Sequence, residues 1–240
     1  QLAGNDVTMV MPEAGIGALM FPADLADHLT RDFRRRGVNV LPRTKVVALS
    51  PEAEGAVLVT LDDGHRLRVD QVVAAVGSLP RTELALGAGI GTANGIIVDE
   101  YFRTDAPNVF AAGDVASYPD PILGRRRVEH EDHARHSGRH AGLAMAGEAT
   151  PYHHLPLFYS DLYDYGYEAV GNLSPGPHTF SQWAEPFQKG VIYYLDESSR
   201  VRGVLLWNTW GLIDRARELM ARATPTPTEE LALQEVEVLN

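Results

Sequence analysis

Two carboxylates stand where their neighbours could give them work on a sugar. Asp114 follows Gly113 at the end of the run Asn108-Val-Phe-Ala-Ala-Gly-Asp114. A glycine without Cβ lets a ligand approach the backbone, and the carboxylate beside it can accept hydrogen bonds from sugar hydroxyls. Asp114 would serve equally well as the cap of a following helix. Glu13 lies just beyond a short apolar run, Val7 to Met11. An acid ending the second strand of a dinucleotide-binding unit accepts hydrogen bonds from the adenosine ribose and repels a 2′-phosphate, which favours NADH over NADPH. A solvated loop acid is the simpler alternative for Glu13.

Histidines form the other conspicuous group. His130, His133, His136 and His140 recur at three- and four-residue spacing, with Glu131 and Asp132 among them. Helical geometry puts His133, His136 and His140 on one face. No second cluster has zinc-type spacing, so a solvated helix face is the expectation and no metal site is assigned. His153-His154 reads as a loop pair. Gly15-Ile-Gly17 and Gly87-Ala-Gly-Ile-Gly91 read as loops: in the first the acid precedes the glycines, and the second leads into a strand, the reverse of the order that phosphate binding needs. Arg34 to Arg36 ends a helix, where the dipole welcomes cations. Arg125 to Arg127 is expected to have a structural or subunit-interface role.

The elements that must hold these residues follow from periodicity. Val7 to Met11 is a buried parallel strand, and Phe21 to Arg36 has helical spacing and stops at Gly37. Val38 to Leu41 is apolar again. Val57 to Leu61 and Arg66 to Val69 flank the hairpin turn Asp62-Asp63-Gly64, and Gln71 to Val76 reads as a further buried strand. Gly95 to Val98 and Asn108 to Ala112 read as short strands, and Val128 to Gly147 as a helix with small residues on one side. Beyond Pro151, strands are expected at Tyr167 to Val170, Gly190 to Leu195 and Val201 to Asn208, then a helix over Leu212 to Ala223. From Thr224 a Thr/Pro tail is expected to be mobile at its start.

This order predicts an α/β fold: partial Rossmann-like dinucleotide-binding domains of the FAD/NAD-linked reductase type, followed by an α+β domain. The expected boundaries are 1–98 for a NAD-binding domain, 99–150 for the closing segment of a FAD-binding domain, and 151–240 for a C-terminal dimerisation-type domain. A Rossmann unit opens with a strand, a Gly-rich turn and a helix, none of which precedes Val7 to Met11. The expectation is that the natural polypeptide extends upstream of Gln1.

Composition narrows the function classes. A net charge of −11 over 240 residues argues against a nucleic-acid partner. No apolar run approaches the ~18 residues of a membrane span. No basic and apolar leader opens the sequence, and a cytoplasmic location is expected. The absence of cysteine excludes a disulfide framework, a thiolate zinc site and a redox-active dithiol within these residues.

Several segments together resemble the apoptosis-inducing-factor-like flavoproteins: Ala112-Gly-Asp114, Leu123-Gly-Arg-Arg-Arg-Val-Glu-His130, Asp132-His133-Ala134, Ser137-Gly-Arg139, Gly166-Tyr-Glu-Ala169, Lys189-Gly-Val-Ile-Tyr-Tyr194 and Val204-Leu-Leu-Trp-Asn208. The likeness runs from about Val7 to Ala223. It implies that Gly113 and Asp114 hold the ribitol of FAD, and that Glu129 and His130 sit between flavin and nicotinamide, with Glu131 continuing that edge. Tyr159 takes the place of a family tryptophan near the isoalloxazine ring. Glu168 would lie near the nicotinamide carboxamide, with Asn208 lining the same pocket, and Gly77 would let the nicotinamide half approach the backbone. A family lysine is replaced by Leu19, which weakens part of the adenosine contact.

The resemblance implies an enzyme that passes hydride from NADH to FAD and electrons to an unidentified acceptor, acting as a homodimer. It keeps two alternatives open: a ferredoxin or rubredoxin reductase, and a binding protein in which NADH switches dimerisation.

Overall fold

The computed structural model describes residues 4–176, 178–222, 224–227 and 231. Contacts divide the chain into two compact units, Gln1–Gly77 and Ser78–Asn240. The expected boundary at residue 98 therefore falls inside the second unit.

The first unit pairs strand β1 (Thr8–Val10) in parallel with β2 (Asn39–Leu41), joined through helix α1 (Ala23–Arg35). The helix forms because Leu25, Ala26, Leu29 and Phe33 recur on one face, and that face is buried. Gly37, at φ +89°, ends it in a left-handed conformation. The arginines at the helix end do more than answer the dipole. Arg35 and Arg36 clasp the buried Asp32 at 2.9 and 2.6 Å, and Arg34 donates to Val40 O at 2.8 Å. Strands β3 (Val46–Pro51), β4 (Val57–Leu61) and β5 (Arg66–Val69) make an antiparallel meander, with the β4–β5 turn where the sequence places it.

Gln71 to Val76 is not the buried strand that its apolar residues suggest. It forms no ladder, and Val73 and Val76 are 83 and 91% exposed. Apolar composition marks a segment that gains from cover, but a strand also needs a neighbour for its N–H and C=O groups. Among the described residues this segment has none.

In the second unit, α2 (Glu83–Gly87) precedes a four-stranded sheet of β6 (Thr92–Ala93), β7 (Gly95–Ile97), β8 (Ala116–Asp120) and β9 (Gly124–Arg126), in that order, with β7 and β8 parallel. Asn108 to Ala112, expected as a strand, contributes only the single bridge between Phe110 and Arg103. Its positive φ of 63° at Asn108 and the Thr104 N–H donated to Val109 O belong to a tight turn. Helix α3 (Glu131–Met145) follows. Its buried side includes His133, Ser137, Ala141 and Ala144.

His133 thus leaves the solvated face expected for it. Its ring stacks on Tyr118 at 4.7 Å, and its Nδ1 lies 3.1 Å from the Tyr152 hydroxyl, inside a cluster completed by Phe102. Burial, aided by the charge of Arg126, pushes its pKa down to about 4.

A five-stranded antiparallel sheet completes the unit in the order β10 (Leu157–Leu162), β11 (Tyr165–Gly171), β14 (Val201–Trp207), β13 (Lys189–Leu195), β12 (Thr179–Glu185). Helix α4 (Ile213–Met220) packs its Ile213, Ala216, Leu219 and Met220 on it with Val170, Tyr193, Val204 and Leu206. Apolar, aromatic runs announced β11, β13 and β14, whereas β10 and β12, at the sheet edges, are more polar and were not expected. Of the expected closing helix, Ala223 lies outside the described residues, as do 228–230 and 232–240 of the tail. No helix among the described residues is long and apolar enough to cross a membrane.

Two consequences are measurable. At Gly171, φ is +94° and a Cβ would sit 2.4 Å from Arg202 O and 2.8 Å from Gly203 Cα, both backbone. At Gly64, φ is +87° and a Cβ would meet nothing within 4 Å. Urea unfolding should show Gly64→Ala costing about 1–2 kcal/mol and Gly171→Ala distinctly more, because overpacking adds to the backbone term. Equal costs would contradict this packing. His133 has a native pKa below its unfolded value, so its contribution is complete above pH 6.5 and is lost as pH falls toward about 4. His133→Phe, which keeps a stacking ring, should flatten the decline of stability across that window.

Candidate functional site

The turn that carries Asp114 is fixed from three sides. Gly113 takes φ +71° in a 3-10 turn over Gly113–Val115, and its N–H donates to Ser137 Oγ at 2.9 Å. A Cβ at Gly113 would lie 3.7 Å from the Ala134 side chain, so the small face of α3 is what lets the turn approach the helix. The Asp114 carbonyl accepts from Arg127 Nη1 at 3.0 Å. No helix follows this turn; the chain enters β8, so Asp114 is not a helix cap. Its carboxylate is exposed and accepts no hydrogen bond among the described residues.

Glu129 and His130 stand beside it. Arg127 Nη1 approaches Glu129 Oε1 at 2.5 Å and Ser78 Oγ donates to the same oxygen at 2.7 Å. These contacts, Ser78 first and Arg127 second, hold the Glu129 carboxyl below its usual pKa. His130 immediately precedes α3 and is half-buried, with its ring stacked on Phe158 at 4.3 Å and 15°. Burial lowers its pKa, as does Arg126, while the nearby Asp114 charge works against both. The structure therefore gathers Gly113, Asp114, Glu129 and His130 at the N-terminal end of α3. Glu131 belongs to the same end of the helix, but its side chain is turned to solvent and faces Arg135 at 3.6 Å.

The three arginines ahead of Glu129 are spent inside the protein. Arg125 Nη1 donates to Val98 O and Ser117 O, and Arg126 lies 3.8 Å from the buried Asp120. Arg127 Nε also donates to Asn94 Oδ1. Their role is structural.

Tyr159, Glu168 and Asn208 form a second group on the antiparallel sheet. Tyr159 of β10 is the direct cross-strand partner of Glu168 of β11, so their side chains share a face. Neighbours along a strand point oppositely, which puts Phe158 and its His130 partner on the other face. Tyr159 is 65% exposed. Glu168 Oε2 accepts the Gly211 N–H at 3.2 Å. Asn208, at φ 44°, is committed internally: its Oδ1 accepts from Gly166 N at 2.6 Å and its Nδ2 donates to Gln188 O at 2.8 Å. Asn208 therefore shapes the end of β11 through its backbone contacts.

In the first unit, Glu13 lies three residues past β1, half-buried, with its carbonyl accepting the Arg43 N–H at 2.8 Å. The Gly15-Ile-Gly17 loop is packed against α1. A Cβ at Gly15 would meet Thr30 Oγ1 at 2.5 Å, and that hydroxyl accepts the Ile16 N–H at 2.9 Å. Gly77 takes φ +85° with open space where a Cβ would be.

Sequence reasoning missed Ser78, Phe158 and Trp210. Ser78 is 51 residues from Glu129, and nothing in local spacing links them. Phe158 declares itself only through the His130 stack. Trp210 is 53% exposed, and its ring closes on Gly166, where a Cβ would clash at 2.6 Å. A large exposed aromatic beside a glycine was the available signal.

Comparison with known proteins bears on the family of the chain. The family described as pyridine nucleotide-disulphide oxidoreductase matches residues 1–138. The chain is 38% identical over 231 residues to apoptosis-inducing factor 1, mitochondrial, of Dictyostelium discoideum, covering 90% of this chain and 43% of that protein. It is 36% identical to monodehydroascorbate reductase 3 of Arabidopsis thaliana, covering 70% of this chain and 40% of that one. Among solved structures, a ferredoxin reductase for the CYP199A2 system from Rhodopseudomonas palustris superposes with a TM-score of 0.79 at 26% identity, over 86% of this chain and 51% of that chain. The chain thus spans about two fifths of the length of these curated relatives. The fold expectation and the flavoprotein resemblance both hold, and the chain belongs to the pyridine nucleotide-disulphide oxidoreductase family.

Proposed function

We propose that the chain serves an FAD-dependent oxidoreductase that takes hydride from NADH and delivers electrons to a separate acceptor. One observation carries the reading: an exposed carboxylate, Asp114, that accepts no hydrogen bond among the described residues, held on a fixed turn beside Glu129 and His130 at the start of α3. Such a carboxylate suits the ribitol hydroxyls of FAD, and the helix end favours negative charge nearby. Bound FAD would supply the hydride-accepting ring, chemistry that no side chain here provides.

The side chains then have distinct tasks. Glu129, kept ionised by Ser78 and Arg127, offers an acceptor to a carboxamide N–H. His130, its pKa lowered chiefly by burial, stacks its ring face on Phe158 and so helps to exclude water. Glu168 uses one oxygen on the Gly211 N–H, leaving the other to orient the nicotinamide beside Tyr159. Glu13 accepts from the adenosine ribose of NADH, and Gly77 leaves room for the dinucleotide. Hydride transfer needs this alignment more than it needs an acid or base. The 240 residues hold no cysteine, so within them the route does not pass through a dithiol.

A ferredoxin-type acceptor is the second reading, favoured by the likeness to the Rhodopseudomonas palustris reductase. The contacts that Arg126 and Arg127 make with Asp120 and Glu129 weigh against it, since they leave less basic charge for an acidic partner.

Flavin absorbance after gel filtration and stopped-flow reduction by NADH separate the two groups of residues. Asp114→Ala should weaken FAD retention about 10–100-fold, the loss of charge-assisted hydrogen bonds. Glu168→Ala should slow NADH-driven reduction about tenfold while FAD retention stays within about twofold. Equal losses in both measurements for Glu168→Ala would contradict its assignment to the nicotinamide.

A further inference from the structure

Away from the residues assigned to cofactors, one group of side chains has the make-up of a metal site. Asp132 and His136 stand four apart on α3 and so share a helix face. His154 comes from the segment between α3 and β10. One possible ligand atom from each of the three lies within 4.8 Å of the other two, and all three residues are half-buried, so solvent still reaches them. His154 Nε2 faces Asp132 Oδ2 at 2.5 Å, and His136 Nδ1 is 3.3 Å from Asp132 Oδ1. The two imidazoles are stacked with centroids 3.8 Å apart.

A simple tie between α3 and β10 would need less than this. Asp132 Oδ2 already accepts the Leu157 N–H at 3.1 Å and meets His154, which joins the segments without a second imidazole. His136 adds a feature typical of ligating histidines. Its Nδ1 lies 2.8 Å from the Asp132 carbonyl oxygen, which can only accept, so Nδ1 carries the proton and Nε2 keeps its lone pair. The parallel rings must splay to converge on one ion, and the His136 side chain, 44% exposed, has room to turn.

We propose that Asp132, His136 and His154 bind a divalent cation of the zinc class, with water completing its coordination. The donor set chooses the ion. Two neutral imidazoles and one carboxylate suit Zn²⁺ or Co²⁺, whereas Mg²⁺ and Ca²⁺ require more oxygen ligands. Arg217 borders the group. Its Nη2 lies 3.7 Å from Asp132 Oδ2 and 3.5 Å from His154 Nε2, held in place by Leu155 O and Asp214. Its positive charge opposes any cation, so binding rests on the three donors and on a turn of the guanidinium away from His154 Nε2. The ion would clamp α3 to the strand that carries Phe158 and Tyr159.

The test uses the untagged chain stripped with chelator, then titrated with Co²⁺ and Zn²⁺. Visible Co²⁺ bands, elemental analysis after gel filtration and thermal unfolding report binding. One equivalent should be retained, with a raised melting temperature, and excess Mg²⁺ should not displace it. His136→Ala should weaken binding by at least about tenfold while leaving the metal-free melting temperature near the parent's. His136→Cys, which restores a donor, should recover Zn²⁺ retention. His136→Gln keeps the side-chain bulk and covers the case in which the alanine variant folds poorly. Failure to retain Zn²⁺ in stoichiometric amount, or parent and His136→Gln chains that titrate alike, would overturn the site. Neither result depends on flavin or NADH.

Discussion

The close approach of the Gly113–Val115 turn to α3 is the constraint from which the candidate flavin residues take their positions. It rests on a glycine that takes φ +71° on one side and on Ala134 and Ser137 on the other, where a Cβ at Gly113 would already touch Ala134 at 3.7 Å. The Ser137 hydroxyl then satisfies the Gly113 N–H, and Arg127 satisfies the Asp114 carbonyl. With its backbone polar groups met from within, the turn can present the Asp114 carboxylate to solvent without collapsing onto it.

Arg127 links this turn to the next feature. Its guanidinium reaches the Asp114 carbonyl, Glu129 and Asn94 together, a use of the planar donor fork that lysine could not reproduce. The sequence run of three arginines looks like a basic patch. In the folded protein their donors go to backbone carbonyls, to Asn94, to the buried Asp120 and to the exposed Glu129. A charge run in a sequence and a charged surface are different things, because tertiary contacts decide how much of the charge remains available.

The histidines of α3 show the same divergence from a uniform helix face. His133 is buried among aromatic rings, His136 stacks on His154, and His130 packs on Phe158. Periodicity correctly placed His133, His136 and His140 near one another on the helix. It carried no information on what would cover each one, since Tyr118, Tyr152, His154 and Phe158 arrive from other segments.

The sequence by itself determined the elements whose signal is local: α1 with its glycine stop, the β4–β5 hairpin, a helix within Val128 to Gly147, and strands β11, β13 and β14. It also determined the Gly113-Asp114 pair and the acid beyond β1. These follow from side-chain period, turn chemistry and residue type, which act within a few positions. Tertiary structure alone decided the rest. Among the described residues it gave Gln71–Val76 no ladder partner, and it turned Asn108–Ala112 into a tight turn. It placed Tyr159 opposite Glu168, committed Asn208 to Gly166 and Gln188, and brought Ser78 to Glu129 across 51 residues. Each of those outcomes depends on hydrogen-bond or packing partners far away in the chain, and local pattern cannot encode a partner that it does not contain.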